Sequence, residues 1–343
     1  PSQREERAGA HGKLKPAPDD PREHLQTHPA SNIRNMLFIL LAALVAASLP
    51  GAVAFGESQK FLIASAASTG HVSYLKLPSS GAPAVSNGQA MKELITSGLV
   101  FPQGLAVDEY RKRLFVADPN QTGVVMYDLI ASGDALSVGK KQTVASGVQA
   151  RAVAVDGLGN IVFSDEASNR ILKVTVDMIS SGQTTPISLY SGNSTVNAPG
   201  GVAADNYFVY WLNKANGTKV GNLFRGQQTS SSAQSVAMLA KNAPKCYGVC
   251  IAAGNLFFTD DSQYLYGINR AATSRHRTYT ISSSFQEPRG CVYDGSSTVY
   301  VADKKGNAVY QFAANMEPLE TNQQMTKAVD LQGAYGVAIY TQV

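Results

Sequence analysis

The chain has 343 residues, of which 44% are hydrophobic and only 16% are charged, so it can bury a sizeable core. Its net charge of +4 reflects 29 basic against 25 acidic residues, an excess too small to indicate a nucleic-acid partner. The three cysteines are too few for a disulfide framework and lack the paired spacing of a zinc site. Composition therefore favours a globular protein that binds no nucleic acid.

The N-terminal 35 residues are polar and rich in proline and charge, without helical or strand periodicity. They predict a disordered leader or a gene-model artefact, with Met36 as the true start. The next stretch, residues 36–54, predicts a signal peptide, because the apolar run Leu37–Leu49 ends at Pro50 and the segment Ala52–Ala54 has the small residues of a cleavage site. The alternative is an uncleaved signal anchor, which would be the protein's one link to a membrane.

Secretion places the mature chain, residues 55–343, in the extracellular space or an organelle lumen. Three Asn-x-Ser/Thr sequons are compatible with glycosylation on this route, at Asn120, Asn193 and Asn216.

Six short segments recur along the mature chain at intervals of 42 to 49 residues. Each segment begins a strand pattern, and after the first five a second apolar segment follows beyond a short turn. A period of this length made of short strands is typical of propeller blades. The six segments are QGLAVD at Gln103, RAVAVD at Arg151, GGVAAD at Gly200, YGVCIA at Tyr247, RGCVYD at Arg289 and YGVAIY at Tyr335.

The two ends of the repeat region complement each other. The segment that begins at Phe61 matches the second half of a repeat, whereas the segment at Tyr335 matches only the first half. Together they make one complete unit. The sequence therefore predicts an all-β, six-bladed β-propeller of four-stranded blades, whose ring closes by pairing the C-terminal strand with the N-terminal strands.

The repeated pattern, P-x-G-[IVL]-A-V-D followed by [IVL]-[FY]-V-A-D, resembles the NHL repeat over residues 58–343. The segment VYWLN at Val209 is also similar to the related YWTD pattern. This resemblance implies a six-bladed propeller but no single activity, because such propellers include binding modules, lactonase-like enzymes and lyases.

Aligned repeat positions form rings around a propeller axis, so a binding site should appear as a column of differing residues. The column at the start of the first strand supplies two arginines and two tyrosines, which suit a carboxylate, a phosphate or an acidic side chain. We predict that this column lines one mouth of the channel and binds a protein or a small anionic ligand through Gln103, Arg151, Tyr247, Arg289 and Tyr335.

Carboxylates and amides at the end of the second strand give an alternative: a calcium-dependent lactonase-like or lyase-like enzyme with Asp118, Asn213 and Asp303 as metal ligands. The propeller region contains only two histidines and no nucleophile elbow, so we favour a binding module without a cofactor. Cys250 and Cys291 occupy neighbouring repeats and are either a disulfide or two packed thiols.

Overall fold

The computed structural model describes residues 58–78, 90–192, 194–214, 221–229, 236–243, 245–273, 277–314 and 316–342. The predicted leader, signal peptide and anchor, together with Asn193 and Asn216, lie outside these residues. Among the described residues, no helix is long and apolar enough to cross a membrane.

Twenty-five strands, one short α-helix, α1 (Val176–Ser180), and two 3-10 turns (Ala67–Thr69 and Pro119–Gln121) make up the regular structure of the described chain. In chain order the strands are β1 (Gln59–Ala66), β2 (His71–Lys76), β3 (Lys92–Ile95), β4 (Leu105–Asp108), β5 (Arg113–Asp118), β6 (Gly123–Ser132), β7 (Ala135–Val138), β8 (Gln142–Ser146), β9 (Ala150–Val155), β10 (Ile161–Asp165), β11 (Arg170–Val174), β12 (Ile187–Ser191), β13 (Pro199–Ala204), β14 (Phe208–Asn213), β15 (Gly221–Gln227), β16 (Ala237–Ala243), β17 (Cys246–Ala252), β18 (Asn255–Asp260), β19 (Leu265–Asn269), β20 (Tyr279–Ser282), β21 (Pro288–Tyr293), β22 (Thr298–Asp303), β23 (Ala308–Ala313), β24 (Thr326–Asp330) and β25 (Ala334–Gln342).

These strands form six antiparallel sheets, which are the six predicted blades. From the axis outward, blade 1 is β25-β1-β2-β3, blade 2 is β4-β5-β6-β8, and blades 3 to 6 take β9 to β24 in fours. The one addition is β7, which extends blade 2 as a hairpin partner of the long strand β6. The predicted ring closure is confirmed, because β25 pairs with β1 from Gln59 opposite Gln342 onward.

The core lies between the blades. Six hydrophobic clusters are buried in the described chain, each combining side chains of two adjacent blades. The largest member is Trp211 of blade 4, whose ring stacks 4.7 Å from that of Tyr190 in blade 3 and 5.6 Å from that of Phe224. Since both faces of each second strand are covered, β10, β18 and β22 are buried along their whole length.

The innermost strands approach each other closely where they begin. A side chain at Gly248 would collide with the carbonyl of Arg289, and one at Gly336 with the carbonyl of Gln103. These positions need glycine because neighbouring backbones are in contact there. The preceding residues, Tyr247 and Tyr335, are therefore held at one mouth of the channel.

Cys250 and Cys291 form a disulfide between the innermost strands of blades 5 and 6. The bridge closes a loop of 41 residues, which in the chain-entropy description stabilises the fold by about 4 kcal/mol. Cys246 is buried and is not part of this bridge.

We predict that a reductant lowers the melting temperature of the wild-type protein, and that the variant Cys250→Ala/Cys291→Ala starts at the lower temperature and no longer responds to reductant. Thermal unfolding followed by circular dichroism measures both. The matched variant Cys246→Ala should keep the full response. Equal melting temperatures with and without reductant in the wild-type protein would show that the bridge contributes nothing.

Candidate functional site

The mouth at which the six innermost strands begin contains a small cavity of about 80 Å³. Its wall includes all five side chains that the sequence predicted for the ligand site, and we call these, together with Lys214, the arginine-tyrosine mouth. The members are Gln103, Arg151, Lys214, Tyr247, Arg289 and Tyr335.

Arg289 is the central group of this site. It is 4% exposed, and its guanidinium carbon lies 3.8 Å from the ring centroid of Tyr247 and 5.8 Å from that of Tyr335. It donates hydrogen bonds to Glu287 and, at 2.9 Å, to the carbonyl of Pro288, while its Nε has no acceptor among the described residues. The guanidinium is thus paired with Glu287, and one of its donors is left without an acceptor in a buried position.

Across the ring, Glu166 joins two further cations. Its carboxylate accepts a hydrogen bond from Arg151 Nε and forms an ion pair with Lys214 Nζ. Lys214 lies 5.4 Å from the ring centroid of Tyr247, so the two halves of the site meet at this tyrosine. Desolvation lowers the pKa of Lys214, although the hydrogen bond to Glu166 opposes this shift.

Glu287 is a second centre of ion pairs. It binds Lys304 Nζ at 3.2 Å and Lys305 Nζ at 3.1 Å, in addition to Arg289. Five cations thus share the two carboxylates of Glu166 and Glu287. Four aspartates that end second strands lie at the same mouth, and they are Asp118, Asp165, Asp260 and Asp303.

Sequence reasoning missed Glu166, Lys214 and Glu287. The first two directly follow the polar residue that ends the second strand of their blades, Asp165 and Asn213. That next position also carries Lys304. An alignment of the repeats extended by one residue would have revealed a second column of charged side chains at the mouth.

The pKa of Glu287 shows that its ion pairs outweigh its burial. Burial raises this pKa, but Arg289, Lys305 and Lys304 together hold it below its ordinary value. In the same site, burial raises the pKa of Tyr335 to about 12, against the opposing effect of Arg289. Tyr335 is therefore a neutral hydroxyl at physiological pH.

We predict that Glu287→Gln lowers the free energy of unfolding by about 2 kcal/mol at pH 7, because it removes a charged hydrogen-bond acceptor from a buried arginine. Because the pKa of Glu287 is lower in the folded protein than in the unfolded one, its carboxylate stabilises the fold at pH values above the unfolded-state pKa. This contribution is lost as the pH falls through the folded-state pKa. The difference in the free energy of unfolding between wild type and variant should therefore become smaller at acidic pH. Urea unfolding at a series of pH values measures it. Glu320→Gln, at an exposed glutamate, should change little at any pH. A pH-independent difference would contradict the assignment.

The predicted calcium ligands serve the backbone of their own blades. Asp118 accepts from the N–H groups of Val100 and Phe101, at 2.7 and 3.1 Å. Asn213 accepts from Asn197 N–H at 3.0 Å, and Asp303 accepts from Glu287 N–H at 2.8 Å. Their oxygens thus accept hydrogen bonds from backbone N–H groups of loops and stabilise those loops. Within the described ranges, no three His, Cys, Asp or Glu side chains are grouped as a metal site.

Asn120 of the first sequon is exposed in a short 3-10 turn after β5, where a glycan would have room. Glycosylation itself stays a prediction.

No known protein-family profile and no curated protein sequence matches this chain. Solved structures do match it. One chain of the crystal structure of a nidogen/laminin complex superimposes with a TM-score of 0.60 at 18% identity, over 82% of this chain and 98% of that one. A gluconolactonase from Xanthomonas campestris superimposes with a TM-score of 0.52 at 12% identity, over 68% of this chain and 78% of that one.

The protein is a six-bladed β-propeller. Its neighbours include the nidogen/laminin propeller and the gluconolactonase, so the predicted resemblance to NHL- and YWTD-type propellers is confirmed for the fold. These neighbours come from both binding and enzyme propellers, and the fold alone does not choose between them.

Proposed function

We propose that the protein is a binding module that takes an acidic side chain of a partner protein into the arginine-tyrosine mouth. The observation that carries this proposal is the buried guanidinium of Arg289, which is placed between Tyr247 and Tyr335 with its Nε unused. A guanidinium offers paired, planar donors that suit a carboxylate.

The size of the cavity favours an inserted side chain over a free metabolite. Sites for small organic ligands typically enclose about 300 to 1,000 Å³, whereas this cavity encloses about 80 Å³. One carboxylate group fits such a volume, and the rest of the ligand then rests on the rim outside. A partner protein provides that additional surface, as in the nidogen/laminin complex formed by the neighbour.

We also propose that the protein acts in the extracellular space or an organelle lumen, and the disulfide supports this location. Disulfides form and persist in oxidising compartments. The Cys250–Cys291 bridge suits such a compartment, and it agrees with the predicted signal peptide.

The test begins with peptides selected from a random display library on the immobilised protein. Each selected peptide is then made again with every Asp changed to Asn and every Glu to Gln, and both forms are titrated by fluorescence anisotropy. We expect one acidic residue per peptide to be essential, and affinity to fall as salt rises. Peptides that bind equally well as amides would refute the proposal.

A metal-dependent hydrolase or lyase is the competing function. It is tested by metal analysis of the purified protein and by its melting temperature with and without a chelator. Bound calcium whose removal lowers the melting temperature would favour the enzyme and redirect attention to Asp118, Asn213 and Asp303.

A further inference from the structure

The channel contains a second and larger cavity at its opposite mouth, where the innermost strands end. This cavity has a volume of about 680 Å³, against about 80 Å³ for the cavity of the arginine-tyrosine mouth. Sites for small organic ligands typically enclose about 300 to 1,000 Å³, so the larger cavity has the size of such a site. We call this cavity the cup.

A ring of apolar side chains lies between the two cavities. Each innermost strand contributes one residue, directly after the glycine or alanine at which neighbouring strands meet, and each side chain borders both cavities. These residues are between 4% and 9% exposed. A ligand in the cup would therefore rest on apolar side chains and would not contact Arg289. The six residues are Leu105, Val153, Val202, Val249, Cys291 and Val337.

The wall of the cup is apolar as well. Two residues further along each innermost strand lies a second ring, which shares the face of the first because side chains alternate along a strand. Five of its six members are only partly buried, so they leave apolar surface for a ligand to cover. The members are Val107, Val155, Ala204, Ile251, Tyr293 and Ile339.

The charged residues that border the cup lie at its rim, and each has a partner of its own. The contacts are the ion pairs Lys60–Asp294 at 3.4 Å, Arg111–Asp108 at 3.1 Å and Lys173–Asp156 at 3.7 Å, and the hydrogen bond from Thr341 N–H to Glu109 at 2.9 Å. Below this rim, the described residues place no charged side chain in the wall. An ion that entered would lose its hydration without a compensating partner.

Contacts between adjacent blades fix the shape of the rim, and each of the six junctions has one. In ring order from blade 1 they are the Thr341–Glu109 hydrogen bond, the packing of Arg111 against Gly159, the hydrogen bond from Gly157 N–H to Asn206 at 2.8 Å, the Arg270–Asp205 ion pair at 3.7 Å, the Cys250–Cys291 disulfide and the hydrogen bond from Lys60 to the carbonyl of Asp294 at 2.9 Å. Because the cup is already formed, a ligand loses little affinity to ordering it.

We propose that the cup binds an uncharged, apolar organic molecule of metabolite size, at a site separate from the arginine-tyrosine mouth. The three steps from Leu105 to Asp108 span about 10 Å, at about 3.3 Å per residue, so the cup is shallow. A compact ring system fits this depth, whereas an extended acyl chain would protrude. The ring of Tyr293 adds an aromatic surface to the wall.

The first test is a titration of the purified protein with N-phenylnaphthylamine, an uncharged probe whose fluorescence rises in apolar surroundings. We expect saturable binding. Ala204→Trp places an indole in the volume that the probe needs and should weaken binding by about tenfold or more. The matched control Ala135→Trp adds the same indole at an exposed position of the β6-β7 hairpin and should bind as wild type does.

A second variant tests the wall without filling the cup. Val107→Thr/Val155→Thr keeps the size of both side chains but adds two hydroxyl groups that the probe would cover, so it should also weaken binding by about tenfold. Its control is Val100→Thr, at an exposed valine that does not line the cup, which should have no effect. Thermal unfolding followed by circular dichroism shows that each variant is folded.

Competition with three cage compounds of equal size tests the charge of the ligand. Adamantanol should displace the probe, whereas adamantane carboxylate and adamantylammonium should each require concentrations about tenfold higher or more. Three results would each overturn the proposal: probe binding that neither the indole nor the threonines weaken, equal displacement by a charged cage compound, or a dimer in solution that only Ala204→Trp dissociates.

Discussion

A chain that ends at Ala334 is expected to be insoluble or unfolded, although it lacks only the last nine of 343 residues. Strand β25 is the innermost strand of blade 1, and it pairs with β1 along almost its whole length. Its side chains complete two interblade clusters: Tyr340 packs with Phe61, at 6.2 Å between ring centroids, and Val337 belongs to the cluster between blades 6 and 1. Removal leaves β1 as an unpaired edge beside the channel and exposes both clusters.

The truncation is measured by the soluble fraction on expression and by the cooperativity of thermal unfolding. Its control is a circular permutant, in which a Gly/Ser linker joins residue 343 to Ser58 and new termini open at the exposed turn around Gly147. The permutant keeps every strand and should unfold cooperatively, as wild type does. A truncated chain with a normal melting temperature would show that the ring tolerates an open blade.

This closure was predictable from the sequence because it depends on backbone pairing and on apolar alternation, which every repeat displays. The half repeat at Phe61 and the half repeat at Tyr335 lacked partners of their own, and only one pairing completes a blade. Hairpin β6-β7 was not predicted, since β6 continues beyond its blade through Leu129 to Ser132 and nothing in the repeat pattern requires that extension.

The candidate site was predictable only in part. Its ring position followed from the repeat, which is why Arg151 and Arg289 were found together with the two tyrosines. The roles of these groups depend on loop residues outside the strand pattern. Glu166 and Glu287 hold the two arginines. Glu166 follows the end of a second strand and could have been aligned, whereas Glu287 precedes the repeated pattern, which begins at Pro288. The side-chain geometry decides which N–H donors of an arginine have acceptors. The local sequence does not determine this geometry.

The largest functional effect is expected at the arginine-tyrosine mouth. Arg151→Gln/Arg289→Gln should weaken the binding of a selected acidic peptide by about 100-fold or more, because truncating a desolvated charge pair typically costs about 2 to 5 kcal/mol. Each glutamine keeps a polar, uncharged group on a shorter side chain. The measurement, peptide anisotropy, is therefore paired with circular dichroism to show that the blades persist.

Two further variants separate charge from geometry. Arg289→Lys keeps the positive charge but loses the planar guanidinium that lies against Tyr247. It should therefore recover only a small part of the affinity. Arg111→Gln/Lys112→Gln removes the same amount of charge at the opposite mouth and should leave peptide affinity within about threefold. If the two double variants weakened binding equally, the long-range field of the protein rather than the mouth would attract the peptide. If neither did, the acidic side chain would bind elsewhere.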